Sequence, residues 1–255
     1  MAGRRILVCR PEPEASRLAQ CFRNAGADAR ALPMLERAPL PETPAQRTLI
    51  QNLDRFQHVV AVSPYAAELL LALIDTWWPQ LPQGLNWYGV GAGTAKVLAD
   101  AGLSPQWPPQ GVSSEDLLRL PVLNNIRGER VLIARGESGR ELLRETLLAR
   151  GAEVTAMPIY RRQAPDYSPQ QLQQALGDFA PDAIIALSAE TLNNFIALNR
   201  ISGHNLKQQL LVLPVQRVAE LAASAGYTNV CIPASLTDPE VVAAVAQRLA
   251  QKGCP

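Results

Sequence analysis

The stretch RILVCRPEPEASRLAQCFRNAGADARALPMLER (residues 5–37) returns later in the chain as RVLIARGESGRELLRETLLARGAEVTAMPIYRR (residues 130–162). The two segments align without a gap at a shift of 125 positions, and 10 of their 33 positions are identical. Ordinary composition would produce about two identities by chance. The identical residues of the first segment are Arg5, Leu7, Arg10, Glu12, Leu18, Gly26, Ala27, Ala31, Pro33 and Arg37. Because only two copies exist and the period has the length of a domain, the repeat indicates a duplicated domain.

The repeat extends beyond this segment. The same shift places Val59–Ser63 on Ile184–Ser188, and a shift of 124 places residues 95–109 on residues 219–233. The 255 residues therefore divide into two similar domains of roughly 125 residues each. We expect a cleft between them, since clefts between domains are favoured sites for small molecules.

Composition excludes several classes of protein. The chain is 47% apolar and 18% charged with a net charge of +1, so no global field favours nucleic acid or an anionic membrane. No apolar run approaches the ~18 residues of a membrane span, and the first run is too short for a signal peptide. Four scattered cysteines without a CxxC pair are typical of a reducing compartment: Cys9, Cys21, Cys231 and Cys254. We expect a soluble, cytoplasmic protein that binds neither nucleic acid nor membrane.

Short apolar runs alternate with helical patterns along the whole chain. This alternation predicts parallel sheets that are covered by helices on both faces. Each copy holds five predicted strands, which suits a flavodoxin-like doubly wound sheet. A strand is expected near Gln106-Trp107, after the predicted helix over residues 93–101. In the second copy, the predicted strand Val131–Arg135 is expected to lead into a helix over residues 139–149.

Two proline-containing stretches without a confident element, residues 34–57 and 161–181, occupy equivalent points of the two copies. Loops of this length are unusual inside a compact domain, so we interpret them as crossings between domains, near 34–57 and 159–181. Domain one would then be discontinuous, with residues 1–35 and 165–255, and domain two would span residues 40–160. A simple division near residue 125 is the alternative.

Small polar residues follow the predicted strands at matching positions of the two copies. Parallel strands end at one edge of a sheet, where the free N–H groups of the following helices form natural anion sites. These candidate residues are Arg10 with Arg135, Ser63 with Ser188, the turn Gly91-Ala92-Gly93-Thr94, and Ser114. The alternative is that the serine and threonine residues only cap helices.

Most catalytic and cofactor motifs are missing. The turn from Gly89 to Gly93 lacks the third glycine of a dinucleotide fingerprint, and no GxSxG elbow occurs. The two histidines, His58 and His204, form no metal-ligand pair. We therefore expect no cofactor and no metal.

Arginines and one tyrosine remain as candidates for chemistry. Arg135, Arg140 and Arg217 suit the bidentate recognition of carboxylates, with Arg140 one predicted helical turn beyond Arg135. Tyr160 follows Pro158 near a predicted crossing. A tyrosine hydroxyl is protonated at neutral pH and can act as a general acid, although packing at a hinge is the competing interpretation of Tyr160.

The order and spacing of several loose motifs resemble the uroporphyrinogen-III synthase family over essentially the whole chain. These motifs are ILVCRP, VAVSPYAAELL, YGVGAGTAKVL, GVSSEDLL, VLIARGESGRELLRETLLARGAEVTAMPIYRR and ALSAETLNNF. The resemblance implies two flavodoxin-like domains joined by a two-strand linker, without a cofactor. It also implies cyclisation of hydroxymethylbilane, a linear tetrapyrrole, with loss of water and inversion of ring D through a spiro intermediate.

The resemblance assigns roles to particular positions. The family tyrosine falls on Tyr160, the threonine of the glycine-rich turn on Thr94, and the strand-end serines on Ser63 and Ser188. Where some members have threonine in the second copy, this chain has Val218, so Gln216 or Arg217 would replace that contact. A monomer with a transient contact to the upstream bilane-forming enzyme is also expected.

Two other function classes stay open at this point. A two-domain sensor that closes on an anion without turnover would have the same architecture. A nucleotide-dependent enzyme ranks below it, because the nucleotide fingerprint is incomplete.

Overall fold

The computed structural model describes residues 1–111 and 113–251. Its strands are β1 (Arg5–Val8), β2 (Asp28–Ala31), β3 (Glu36–Pro39), β4 (His58–Ala61), β5 (Asn86–Gly89), β6 (Arg130–Gly136), β7 (Glu153–Gln163), β8 (Ala183–Ile185), β9 (Leu210–Val212) and β10 (Val230–Cys231). Its α-helices are α1 (Glu14–Asn24), α2 (Pro44–Gln51), α3 (Pro64–Trp77), α4 (Ala92–Asp100), α5 (Ser114–Leu117), α6 (Leu142–Ala149), α7 (Pro169–Leu172), α8 (Ala189–Ser202), α9 (Gln216–Ser224) and α10 (Asp238–Gln251).

The chain forms two compact units. Unit 1 consists of Met1–Glu36 together with the chain from Gln163 onward, and unit 2 is Arg37–Arg162. Each unit has its own five-stranded sheet, so the predicted α/β class with two parallel sheets is confirmed. The described helices include none that is both long and apolar enough to span a bilayer.

Unit 1 has the strand order β10-β9-β8-β1-β2, with every neighbouring pair parallel. Numbered within the unit, this is the flavodoxin order 2-1-3-4-5. Side chains alternate along β1, so Ile6 and Val8 pack beneath α1 and α10, whereas Leu7 and Cys9 pack on the other face beneath α8 and α9. Both faces are buried, which explains the continuous apolar run in the sequence.

Unit 2 has the strand order β3-β7-β6-β4-β5. The sequence repeat places β1 on β6, β2 on β7 and β8 on β4, so the order β7-β6-β4-β5 reproduces β2-β1-β8-β9 of unit 1. The two sheets differ only at their edges. The counterpart of β10 in unit 2 is the single bridge between Tyr88 and Gln106, and β3 is the fifth strand instead.

The predicted strand at Gln106-Trp107 is therefore wrong, and Trp107 is 40% exposed. Gln106 exchanges two backbone hydrogen bonds with β5, but Pro108, at the next position that would face β5, has no N–H group with which to extend the ladder. Proline thus ends this pairing after Gln106.

The stretch 34–57, for which the sequence indicated no confident element, contains β3 and α2. Thr43 caps α2 by accepting a hydrogen bond from the backbone N–H of Gln46, and the Gln46 side chain accepts one from the backbone N–H of Thr43. Pro44 occupies the first helical position, where its missing N–H costs nothing. This capping box is a signal that the sequence carries in full. The stretch 161–181 likewise contains the end of β7, α7 and a π-helical turn, Gln173–Asp178.

The thiols of Cys9, Cys21 and Cys231 are free, and burial raises the pKa of the Cys9 thiol far above its ordinary value. Cys9 is therefore a buried apolar residue of the core. Cys254 lies outside the described residues.

Candidate functional site

A cavity of about 250 Å³ opens at the carboxyl edge of the sheet in unit 2. It lies where β4 and β6, which are parallel neighbours, both end. Five residues singled out from the sequence line it: Ser63, Ser114, Arg135, Arg140 and Tyr160. The cavity is polar and mainly cationic, because it also includes Ser138, Arg144 and Arg162.

Two hydroxyl groups face each other in this cavity. The Tyr160 hydroxyl lies 3.4 Å from Ser63 Oγ, and Tyr160 is only 6% exposed. Ser63 caps α3 by accepting a hydrogen bond from the backbone N–H of Ala66 at 3.1 Å. The Tyr65 ring packs edge-on against Tyr160, with 5.3 Å between centroids. The tyrosine is thus held by packing, and its hydroxyl is placed by a residue at the end of β4.

Gly136 creates the space that Tyr160 occupies. A Cβ atom at this position would lie 3.0 Å from the Tyr160 ring and 3.2 Å from its hydroxyl oxygen. The register of β6 and β7 also shifts here, pairing Gly136 with Tyr160 directly after Arg135 with Pro158. The irregularity turns the tyrosine toward the cavity, as bulges beside active sites commonly do.

Arg135 is almost fully buried, with 9% exposure. Its Nη1 atom donates to Glu141 Oε1 at 2.6 Å, and its other nitrogens donate to the carbonyls of Gly136 and Gly139, each at 3.2 Å. The guanidinium group therefore organises the loop between β6 and α6. This use leaves Arg135 with less donor capacity for a ligand than the sequence suggested.

Arg140 lies outside the helix in which the sequence placed it, because α6 begins at Leu142. The guanidinium group of Arg140 is exposed and donates to Glu115 Oε1 at 2.5 Å. The pKa of the Glu115 carboxyl is lowered, first by a hydrogen bond to its own backbone and then by Arg140. Ser114 is the first residue of α5, whereas its neighbour Ser113 is the cap.

Arg144 and Arg162 also line the cavity, and neither was predicted from the sequence. Neither has an ion pair or hydrogen bond with any described residue. A signal for Arg162 was available, since it stands two positions after Tyr160 in β7 and residues i and i+2 of a strand share a face. These two arginines are the cations of the cavity whose charge is not already paired with a described residue.

The glycine-rich turn lies at the end of β5 and does not contribute to the lining of this cavity. Gly91 is the N-cap of α4, and no side chain of the described residues satisfies the first N–H groups of that helix. Thr94 is 3% exposed, so its side chain packs in the interior. In unit 1, the matching helix α9 also begins without a side-chain cap, at Val215. Val218, the counterpart of Thr94, is 2% exposed.

The remaining candidates lie in unit 1. Arg10 follows β1, and its Nη1 atom contacts Asp238 Oδ1 at 3.3 Å; Asp238 also binds Arg17 Nε at 2.6 Å. Ser188 caps α8 through the backbone N–H of Thr191 at 3.0 Å. Arg217 is the second residue of α9.

The histidines are placed away from this cavity. His58 is buried and bonds to the Tyr88 hydroxyl through Nδ1 and to Glu129 through Nε2. Burial, together with the charge of Glu129, raises the pKa of Tyr88 to about 12, so this hydroxyl stays protonated. The described residues contain no group of three His, Cys, Asp or Glu side chains that could hold a metal ion.

Comparison with known proteins gives a consistent result. A family model described as uroporphyrinogen-III synthase HemD matches residues 16–243. Uroporphyrinogen-III synthase of Escherichia coli K12 is 32% identical over 231 residues, which cover 88% of this chain and 93% of that protein. The crystal structure of a mutant uroporphyrinogen III synthase from Thermus thermophilus matches with a TM-score of 0.58 at 20% identity, covering 98% of this chain and 100% of that one. The uroporphyrinogen-III synthetase structure from Helicobacter pylori 26695 also gives a TM-score of 0.58, at 15% identity, covering 96% and 99%. These two structures show the likeness of fold.

Proposed function

This chain belongs to the uroporphyrinogen-III synthase family, and we propose that it cyclises hydroxymethylbilane to uroporphyrinogen III with loss of water and inversion of ring D. It is thus a lyase of tetrapyrrole biosynthesis. The anion sensor without turnover, which the sequence left open, is not favoured by a family model that matches residues 16–243.

One observation carries the residue-level proposal. In the 250 Å³ cavity of unit 2, a buried tyrosine hydroxyl and several guanidinium groups line the same space at the carboxyl edge of a parallel sheet. A linear tetrapyrrole with carboxylate side chains needs both features, since cations bind the carboxylates and an acid assists the departure of a hydroxyl group.

Tyr160 is the proposed acid. Its proton would pass to the hydroxyl group of the substrate as the C–O bond breaks, so that water leaves and the pyrrole nitrogen supplies the electron pair that forms a cationic azafulvene, still protonated at nitrogen. Ring closure later releases one proton, which balances the proton donated. The Ser63 hydroxyl, 3.4 Å from the Tyr160 oxygen, supports this role by holding the phenol in one orientation.

The azafulvene is already reactive, so the protein would act mainly by holding one conformation of the substrate through the spiro intermediate. Positioning of this kind is a major source of catalysis. The buried Arg135, tied to Glu141 and to two backbone carbonyls, supports the proposal because it makes the wall of the cavity rigid. No step of this scheme requires a metal ion or a redox group.

We expect the double substitution of Arg144 and Arg162 by alanine to raise KM for hydroxymethylbilane by at least about 100-fold with little change in kcat. Each lost hydrogen bond to a charged group is worth about 1.5–3 kcal/mol. Contacts made equally in substrate and transition state act on KM alone. Steady-state kinetics of the purified variants would measure both parameters.

The matched control is Arg119→Ala. Arg119 also belongs to unit 2, but it pairs with Asp116 and is not part of the cavity lining. An unchanged KM in the double variant would show that Arg144 and Arg162 do not bind the substrate. Arg140→Ala should raise KM less than Arg144→Ala or Arg162→Ala does, because Arg140 is already paired with Glu115.

The activity itself is tested by supplying enzymatically generated hydroxymethylbilane and separating the porphyrin isomers after oxidation. We expect predominantly the type III isomer, whereas spontaneous cyclisation yields type I. The same yield and rate should be obtained after dialysis against EDTA, because no step is routed through a metal ion. Type I product alone would contradict the proposed activity, and loss of turnover on chelation would contradict a metal-free mechanism.

We propose that the enzyme acts as a monomer in the cytoplasm and contacts the upstream bilane-forming enzyme transiently. The free thiols of Cys9, Cys21 and Cys231 support a reducing compartment.

A further inference from the structure

A second and larger cavity, of about 630 Å³, lies in unit 1. It is formed by the last turn of α8, the loop that follows, and the end of α9. α8 starts at the carboxyl edge of the sheet and has 14 residues, so its last turn is roughly 20 Å from Ser188. This cavity therefore opens at the edge of the unit 1 sheet opposite to the one that carries Ser188 and Arg217.

The cavity has cationic walls. Arg200, His204 and Lys207 line it, and no acidic residue among those described does. Neither Arg200 nor Lys207 has a side-chain ion pair with a described residue. Two helices end here, and each C-terminus contributes about half a negative charge. The two full positive charges of the side chains outweigh these partial charges.

The local packing holds these groups around the cavity. Gly226 has a φ of +89°, and a Cβ atom there would lie 3.2 Å from Lys207 Nζ, so the lysine lies across the backbone of this turn. A Cβ atom at Gly177 would lie 2.7 Å from His204 Cε1, so the imidazole packs on the π-helical turn Gln173–Asp178. π-Helical turns are often associated with functional sites.

A buried acceptor without a donor lies in the wall of this cavity, beneath its accessible surface. Asn199 lines it and is 5% exposed. Its amide nitrogen donates to the Tyr227 hydroxyl at 2.8 Å, while its Oδ1 atom is buried and has no hydrogen-bond partner among the described residues. An unsatisfied buried acceptor costs about 1–3 kcal/mol, and a bound O–H or N–H group would remove that cost.

We propose that this cavity is a second binding site, which takes a small organic polyanion carrying at least one hydroxyl or N–H donor. Arg200 and Lys207 would bind the anionic groups, which are carboxylates or phosphates. Asn199 Oδ1, which has almost no accessible surface in this structure, would accept the hydrogen bond once its amide turns toward the ligand. The volume lies within the ~300–1,000 Å³ range of small-molecule sites. Ile196, Ala225 and the Tyr227 ring supply the apolar part of the wall.

The test is calorimetric titration of the full chain at constant ionic strength, without substrate, using citrate, tricarballylate and pyrophosphate as probes. Citrate differs from tricarballylate by one hydroxyl group, so the difference between their affinities measures the hydrogen bond to Asn199 Oδ1. Pyrophosphate separates a phosphate site from a carboxylate site. We expect citrate or pyrophosphate to bind with Kd of about 1 mM or tighter at low salt.

The double variant Arg200→Ala and Lys207→Ala should weaken that binding at least tenfold, while Arg248→Ala, which removes an exposed charge elsewhere in unit 1, should leave it unchanged. Citrate should bind about 3- to 10-fold more tightly than tricarballylate, and Asn199→Leu should abolish the difference. If Asn199→Leu fails to fold, the comparison of the two acids on the parent chain still tests the acceptor.

Three results would overturn the proposal. The first is that none of the three probes binds. The second is that the double variant and Arg248→Ala lose the same affinity, and the third is that citrate and tricarballylate bind with equal affinity. Anions that bind instead at the cavity of unit 2 would lose affinity in the Arg144 and Arg162 variants and keep it in the Arg200 and Lys207 variant. Because binding is measured without substrate, failure here would leave the proposed catalytic activity untouched.

Discussion

Replacing Tyr160 by phenylalanine is expected to lower kcat by about 10- to 100-fold while the product remains the type III isomer. General acid catalysis contributes roughly 10²–10⁴ in rate, but solvent can replace part of a lost acid in a polar cavity. Ring inversion depends on the conformation of the bound substrate, and phenylalanine keeps the ring that packs against Tyr65. Turnover and isomer ratio, measured on the same samples, separate these two contributions.

The control for this experiment is Tyr65→Phe. Tyr65 belongs to the same pair of rings, but its hydroxyl donates to the carbonyl of Arg37 at 3.2 Å instead of facing Ser63. We expect this variant to keep kcat within about threefold of the parent, since the ring that packs against Tyr160 is kept and the hydrogen bond to the Arg37 carbonyl is lost. If folded Tyr160→Phe turned over at the parent rate, Tyr160 would be a packing residue and the acid would have to be another group.

Replacing Gly89 by alanine should lower the free energy of unfolding by about 3 kcal/mol. A Cβ atom at this position would lie 2.7 Å from the backbone nitrogen of Ala95 and 3.1 Å from Thr94 Cβ. These are atoms of α4 where it packs against the end of β5, and a backbone atom cannot rotate away as a side chain can. Urea unfolding, monitored by circular dichroism, would measure the effect.

Gly93→Ala is the matched control, four residues further along the same glycine-rich turn. The added methyl group would meet only Pro64 Cγ at 3.6 Å, which is an ordinary contact. Because Gly93 lies within α4, alanine should stabilise the protein by about 0.5–1 kcal/mol. Equal midpoints for Gly89→Ala and the parent would mean that α4 can move away from β5 at little cost.

The repeat and the strand-end residues were readable from the sequence because they depend on local patterns. Buried parallel strands appear as apolar runs, and Ser63 and Ser188 stand where each run gives way to a helix. The helix α2 was equally readable through its capping box, but the density of prolines around it obscured the signal. The edge strand β3 had no such signal, because its four residues alternate too briefly to distinguish it from a loop.

Which arginines are free for a ligand did not follow from the sequence. Arg135 and Arg140 stand at conspicuous positions, yet the fold pairs them with Glu141 and Glu115. Arg144 and Arg162 were not predicted as site residues, yet they line the same cavity without a partner among the described residues. A charged side chain can bind a ligand only to the extent that its neighbours leave it unpaired, and those neighbours are set by packing.

The sequence alone determined the duplication, the alternation of strands and helices, the family, and the positions at which each strand ends. All of these depend on periodicity and on short-range turn and cap chemistry, which act between residues close together in the chain. Only the tertiary structure decided that Tyr160 meets Ser63, 97 positions away, and that Arg10 is held by Asp238, 228 positions away. Such contacts depend on which strands lie side by side and on the register between them, so the site's charges and hydrogen bonds exist only once the sheets are assembled.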